Sequence, residues 1–430
     1  MHQRLKLTIV ILSTVLLATL MIGTLLGGNE NTQDAYRHFA VYTEVISRIK
    51  SDYVEEPDMK SVTLGALNGL LESVDPYASY LSADQYKQYL QNKSAKKAGV
   101  GLVLSRRFGY VGVIDSIPGS PADKAGLTTG DVLETIAGVA TRDMPLAYAE
   151  MLLEGAPGTT IEMTVMRVRR GTDATKVSLI REPLKLPAAT AQMKGDGVGV
   201  LTVHTMEAEK TGQVASKLAE LSRQGAQKLV LDLRNNAYGT PEEGIALANL
   251  FLNSGTITYL QGQKVPKQDF TVDPAKAVWK QPLVVVVNRG TASGAEIAAN
   301  ALADNKRAEI VGERTYGDAA LRKAITMDDG SAVILSVAKY FNAAGKAIQD
   351  NGVTPSVVVA EQESNSDDDE TPPTAPAPPP QGEDLQLKTA IEVLVKGKAG
   401  AAQTPPQTGA SPPPARPNSP LGVPVPRPPK

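Results

Sequence analysis

The sequence predicts an α+β multidomain protein: a helical N-terminal cap, a β-rich middle domain, and an α/β core built on a mainly parallel sheet. Three observations predict it. Apolar residues recur at helical spacing near the N-terminus, short strands alternate with glycine turns in the middle, and strands alternate with helices beyond. At 430 residues the chain is long enough for two or three domains with a sizeable core.

Composition narrows the chemistry. A net charge of -2 gives no reason to expect a nucleic acid partner. The chain has no cysteine, which excludes disulfides, thiol catalysis and thiolate metal sites. Three histidines, His2, His38 and His204, leave little room for a histidine triad or a zinc cluster. His204 lies in a strand-like run and is expected to be structural. No metal site and no cofactor are expected.

Residues 1–28 read as an export segment. Arg4 and Lys6 precede an almost uninterrupted apolar stretch from Leu7 to Leu26. A cleavable signal needs an apolar region of about 7–15 residues and a bilayer span about 20, so the length suits a span. An uncleaved anchor, with the body outside the cytoplasm, is the favoured reading and a cleaved signal peptide the alternative. Either places the body in the cell envelope, a membrane partner included.

Residues 35–95 are predicted helical. Tyr42, Val45, Ile46 and Ile49 form one stripe, and Leu64, Leu67, Leu70 and Leu71 a second. Asp75-Pro76-Tyr77 breaks the chain, and Ser82 is placed to cap a third helix. A small helical bundle is the simple expectation, and the stripes equally suit packing on another subunit.

Residues 97–182 change texture. Gly99-Val100-Gly101-Leu102-Val103-Leu104 is a glycine turn entering a strand. Strands are predicted at Val111–Ile117, Val132–Ile136, Thr160–Val168 and Lys176–Ile180, with helices starting at Ser120-Pro121-Ala122 and Met144. A glycine turn alone is more often just a hairpin. The whole pattern, with "IPGSPADKAGLTTGDVLETIAG", closely resembles a PDZ domain. That resemblance implies binding of an extended C-terminal peptide as an added strand. Its carboxylate would lie on the loop Gly99, Val100, Gly101 and Leu102, and pairing would begin at Val103 and Leu104.

Residues 184–360 alternate strand and helix. Strands are predicted at Gly197–Thr205, Lys228–Leu233, Leu283–Val287, Glu309–Val311 and Ala332–Ala338, with helices at Glu207–Gln224, Glu242–Leu252 and Ala295–Asn305. Functional loops belong at the strand C-terminal ends. Residues 361–383 are acidic and proline-rich, and 398–430 are rich in proline, alanine and glycine, so both are expected to be disordered. Between them, 384–397 has helical spacing and is expected to pack back on the body.

Two strand ends carry chemistry. One reads "LDLRNN" and runs on to Gly239; the other reads "VNRGTAS" and ends at Ser293. With "VDPYASYL", "AEIAANALADNKRAEIVGERTYG", "DGSAVILSVAKY" and "GVTPSVVV", the stretch from Ala35 to Val395 resembles the carboxy-terminal processing, or tail-specific, serine proteases. The motifs are specific jointly, not singly. The resemblance implies cleavage near the C-termini of protein substrates by a serine–lysine dyad, and an oligomer. Carried over residue by residue, Ser293 is the nucleophile position, and the N–H groups of Gly239 and Gly294 are the oxyanion donors. Tyr238 stands where the family usually has a further glycine.

The dyad itself departs from the family. After Thr315-Tyr316-Gly317 the lysine position holds Asp318, and the orienting glutamine position holds Arg322. A dyad lysine takes the serine proton because burial lowers its pKa. An aspartate, with a reference pKa of about 3.9, is a poor proton acceptor at neutral pH. The two substitutions read as a pair that replaces Lys–Gln by a salt bridge. Lys323 should point away from the site by strand alternation, and Lys339 and Lys346 match no motif.

Two readings of Ser293 stand. Ser293-x-x-Glu296 before an apolar run is also a capping box, in which the serine would bond the glutamate N–H. The serine is then a helix cap, or a nucleophile of weak competence. For Asp232 and Arg234, positioning of the strand-end loop is expected ahead of catalysis. At the level of the chain, an envelope endopeptidase with reduced or lost activity stands beside a non-catalytic PDZ scaffold that captures exposed C-termini.

Overall fold

In the parallel strands of the core, successive residues face opposite sides of the sheet. Leu283, Val285 and Val287 pack into one apolar cluster, and Val284 and Val286 into another. The sheet is therefore covered on both faces, as a run of five consecutive buried residues requires. The computed structural model describes residues 30–94, 98–107, 109–167, 174–187, 189–207, 210–361 and 383–396. The expectations for 1–28 and 398–430, and for nearly all of 361–383, lie outside them.

The described residues divide at Leu67/Asn68 into two compact units. The first holds helix α1 (Glu30–Asp52) and the start of α2 (Met59–Val74). Both predicted stripes lie on helices, yet Tyr42 and Val45 are exposed, as are Phe39, Tyr53 and Val54.

In the second unit, β1 (Ser79–Leu81) and α3 (Ala83–Ser94) follow the Asp75-Pro76-Tyr77 break. Ser82 caps α3 reciprocally: its Oγ accepts the Gln85 N–H at 3.4 Å, and Gln85 Oε1 accepts the Ser82 N–H at 3.0 Å.

The β-rich domain comprises β2 (Leu102–Arg107), β3 (Tyr110–Ser116), α4 (Pro121–Lys124), β4 (Val132–Ile136), β5 (Val139–Ala140), α5 (Leu146–Leu153), β6 (Thr160–Met166) and β7 (Ala174–Ile180). Its sheet order is β2-β3-β4-β6-β7, with β5 on β4, which leaves β2 at an edge. Gly101 takes φ 81, and a Cβ there would run into the Ser120 side chain, so glycine is required at this turn.

The core comprises β8 (Thr190–Met193), β9 (Val198–Thr202), α6 (Lys210–Arg223), β10 (Lys228–Asp232), α7 (Pro241–Asn249), β11 (Thr256–Gln261), β12 (Gln268–Thr271), β13 (Leu283–Val287), α8 (Gly294–Asp304), β14 (Glu309–Gly312), β15 (Ala320–Thr326), β16 (Ala332–Phe341) and β17 (Val357–Val358), then α9 (Leu385–Lys396). One sheet runs β17-β14-β13-β10-β9-β8, parallel except for β8. Helix α9 covers one face through Ala390 and Val393, as its helical spacing predicted, while α6, α7 and α8 cover the other.

A second, antiparallel sheet, β1-β16-β11-β12 with β15 on β16, was not expected from the sequence. Its partners lie far apart in the chain: Ser79 pairs with Ile334 and Tyr259 with Phe341. It also carries the stretch after Asp318 as β15, whereas the nucleophile loop ends a strand of the parallel sheet.

Candidate active site

The loop between β13 and α8 is fixed by its own polar side chains. Asn288 Oδ1 accepts the N–H groups of Asn235 and Gly290, each at 3.0 Å, and Asn288 Nδ2 donates to Asn235 Oδ1 at 2.7 Å. Thr291 Oγ1 donates to the Leu233 carbonyl at 2.8 Å, and the Ala292 N–H to the Asn236 carbonyl at 3.0 Å. The ends of β10 and β13 are therefore joined by hydrogen bonds.

Ser293 stands at the last position of this loop with φ 55 and ψ -125, a region that an L-residue enters only under strain, at about 1–3 kcal/mol. Its side chain makes no cap hydrogen bond; Ser293 Oγ instead donates to the Gly239 carbonyl at 3.4 Å. The capping box, one of the two readings of Ser293, is absent because this backbone aims the hydroxyl at the Gly239 carbonyl. A strained strand-to-helix turn that presents a serine hydroxyl is the geometry of a nucleophile.

Glu296, the other half of that expected box, does something else. Its fully buried carboxylate accepts the Gly317 N–H at 2.7 Å and the Asp318 N–H at 2.8 Å, and Thr315 Oγ1 also donates to it. Burial pushes this carboxyl up to about 7, against the pull of those three donors. Glu296 thus straps the 315–318 segment to the N-terminus of α8. Serine and glutamate at this spacing signalled an important glutamate, and capping was the wrong role for it.

The same segment meets Ser293 directly, because the Ser293 N–H donates to the Asp318 carbonyl at 3.0 Å. The structure brings together the nucleophile and base positions that the motif register assigned. At the base position the Asp318 carboxylate is ion-paired with the Arg322 guanidinium, as the paired substitutions implied. The Arg322 Cζ also lies 4.0 Å from the centroid of the Tyr77 ring, a cation–π contact, and Tyr77 meets Tyr316 edge-on at 6.4 Å. The Asp318 carboxylate is thus held by a cation on β15, four positions on.

Lys323 and Lys346 are exposed, and Lys339 Nζ is paired with Asp350 at 3.0 Å.

Gly239 has φ 140, and a Cβ there would strike the backbone of Met206. The segment around it is bonded to Met206 on both sides: Met206 N–H donates to the Tyr238 carbonyl at 2.7 Å, and Thr240 N–H to the Met206 carbonyl at 2.6 Å. A Cβ on Gly294 would collide with the Thr240 carbonyl, so α7 and α8 approach at this residue. Of the two glycines, Gly239 meets the Ser293 hydroxyl through its carbonyl, and Gly294 follows Ser293 as the first residue of α8. A cavity of about 300 Å3 opens beside Tyr238, lined also by Gly99, Glu154, Leu184, Leu186 and Glu207.

Asp232 and Arg234 position the strand end, as expected. Arg234 Nη2 lies 2.6 Å from Asp232 and 2.7 Å from Asp384, which ties the loop to the start of α9. Asp384 and Tyr77 are participants that sequence reasoning missed. Tyr77 belongs to a motif already singled out, whereas nothing in the sequence linked Asp384 to Arg234. His204 is half-buried and burial lowers its pKa, in keeping with a structural residue. At the glycine loop, the Gly99 N–H donates to the Glu182 carbonyl at 3.0 Å. It is therefore engaged within the domain, a correction to its expected role as a carboxylate donor. Among the described residues no acidic or histidine cluster is arranged to hold a metal.

Comparison with known proteins agrees with this fold. Residues 197–359 match the model of peptidase family S41, and 112–167 match a PDZ domain. The carboxy-terminal processing protease CtpA of Bacillus subtilis is 30% identical over 364 residues, covering 83% of this chain and 78% of that protein. A carboxyl-terminal-processing protease of Picosynechococcus is 31% identical over 360 residues, covering 82% of this chain and 84% of that one. A solved photosystem II D1 C-terminal processing protease superposes with a TM-score of 0.63 at 25% identity, over 85% of this chain and 98% of its own.

Proposed function

The chain belongs to the carboxy-terminal processing proteases of peptidase family S41, and from that membership we propose that it recognises the C-terminal tails of proteins while its capacity to cleave them is strongly reduced or lost. The observation that carries this is the Asp318–Arg322 ion pair at the base position. A serine hydroxyl needs a neutral or weakly held proton acceptor to become a nucleophile. A carboxylate already neutralised by a guanidinium is neither.

The strained Ser293 backbone and the nearby Gly239 and Gly294 favour a weak residual activity over none. Oxyanion stabilisation and binding alone are worth about 10³–10⁴-fold over water once a catalytic unit is broken. That is far short of a working protease. Digestion of an unfolded protein such as casein tests the proposal, with Ser293→Ala as the control. Asp318→Lys combined with Arg322→Gln should create Ser293-dependent cleavage. Cleavage by the unaltered chain, abolished by Ser293→Ala, would overturn the loss of activity.

Tail recognition rests on the PDZ domain. Strand β2 lies at the edge of its sheet, the position an added strand requires. With the Gly99 N–H engaged, the carboxylate falls to the N–H groups of Val100, Gly101 and Leu102. A fluorescent peptide with an apolar C-terminal residue should bind at least about tenfold more tightly than its C-terminal amide, a difference of about 1.4 kcal/mol. Equal affinities would rule out carboxylate capture. The apolar Leu7–Leu26 stretch supports a body anchored outside the cytoplasm.

A further inference from the structure

We propose that Gln349, in the turn after β16, is a positioning residue for the base position: its amide oxygen holds the Ala319 N–H and, together with Glu296, fixes the backbone from which the side chain at 318 projects. Gln349 is buried, at 2% exposure, and Ala319 at 1%. The Ala319 N–H donates to Gln349 Oε1 at 2.8 Å. Gln349 is distinct from the orienting glutamine that the family resemblance implies, whose position Arg322 holds.

Every backbone polar group of 317–319 has a partner, and the partners come from α8, the turn after β16, the nucleophile loop and β16 itself. The Gly317 and Asp318 N–H groups donate to Glu296, and the Ala319 N–H to Gln349. The Gly317 carbonyl accepts the Asp350 N–H at 2.9 Å, the Asp318 carbonyl the Ser293 N–H at 3.0 Å, and the Ala319 carbonyl the Tyr340 N–H at 3.0 Å. All three N–H groups are thus held by side chains rather than by a sheet or helix ladder. Residue 318 is anchored through its own N–H and through the N–H on either side of it. A buried N–H that loses its acceptor is costly, so each of the two side chains decides whether the segment stays in place.

The turn that carries Gln349 is itself pinned. Arg314 donates through Nε to the Asn351 carbonyl at 2.6 Å and through Nη2 to the Asp350 carbonyl at 3.0 Å. Thr315 Oγ1 accepts the Val353 N–H at 2.7 Å and donates to Glu296, so one hydroxyl joins the turn to the Glu296 strap. This frame makes no use of the side chain at 318 and so carries aspartate or lysine alike. Its bearing on catalysis rests on 318 being the base position; the contact itself does not.

Amide hydrogen exchange resolved to single residues, on the full chain in detergent, tests the contact without requiring cleavage. In the unaltered chain the Ala319 amide should exchange at least about a hundredfold more slowly than its intrinsic rate, and exchange near that rate would overturn the proposal. Gln349→Met keeps the side-chain volume and removes the acceptor. It should speed Ala319 exchange at least about tenfold and leave the β13 amides unchanged. Unchanged protection in a folded Gln349→Met chain would count against the proposal decisively. Gln349→Glu, which keeps an acceptor, should retain protection; if Gln349→Met does not fold, loss of protection in Gln349→Glu overturns the proposal instead. A second arm uses the chain carrying Asp318→Lys and Arg322→Gln. There Gln349→Met should lower kcat at least about tenfold with KM within about twofold, and a raised KM at unchanged kcat would exclude a positioning role. If that chain does not cleave at all, the reading of 318 as the base position fails, and exchange at Ala319 alone decides the contact.

Discussion

At the scale of the residue, Ser293 and Asp318 tell opposite histories of one site. The backbone of Ser293 keeps a conformation that is unfavourable for a residue with a side chain. Asp318 occupies the base position with a carboxylate already claimed by Arg322. If strain at Ser293 serves only catalysis, relieving it should stabilise the fold. Ser293→Gly releases a left-handed φ, worth about 1–3 kcal/mol, against about 0.5–1 kcal/mol of added unfolded-state entropy. A net gain of about 1 kcal/mol is expected, read from the urea midpoint at unchanged slope. A loss of stability would show that the serine caps α8 after all.

At the scale of the element, the 315–318 segment and helix α8 are joined through Glu296, a carboxyl with no exposure to water. Burial raises its pKa from 4.5 to about 7 in the folded chain. The folded state therefore holds that proton more tightly than the unfolded state does. Its contribution to stability is fully present below the unfolded value and is lost as pH rises toward about 7. The wild-type chain should lose up to about 3 kcal/mol from this group between about pH 4.5 and 7.5, and Glu296→Gln should flatten that slope. Chemical denaturation at a series of pH values checks it. An unchanged slope in the variant would place the pH dependence elsewhere.

The elements were legible to different depths. The five apolar residues of β13 and the helical spacing of α9 were read almost to the residue, because burial on both faces or along one stripe leaves a periodic mark. The antiparallel sheet was not read. Its strands β1, β11 and β12 are short, partly exposed and paired across long stretches of chain, so neither period nor turn chemistry announces them. The same limit hid the Arg234–Asp384 ion pair, which joins residues from opposite ends of the core.

At the scale of the whole molecule, the apolar stretch at 1–28 should fix the chain to a membrane. Extraction of membranes at alkaline pH checks this: full-length chain should stay with the pellet, and its release would exclude an uncleaved anchor. No described helix is long and apolar enough to cross a bilayer, so the expectation rests on Leu7–Leu26 alone.

By itself, the sequence determined the family and which residue stands at each motif position, because those are read in register along the chain. Only the tertiary structure decided what the surviving groups do. Ser293 and Glu296 fit a capping box in one dimension, but the box fails because the chain returns at 315–318 and supplies Glu296 with better donors. Hydrogen-bond partners distant in sequence carry no periodic signal, and this site is made of them.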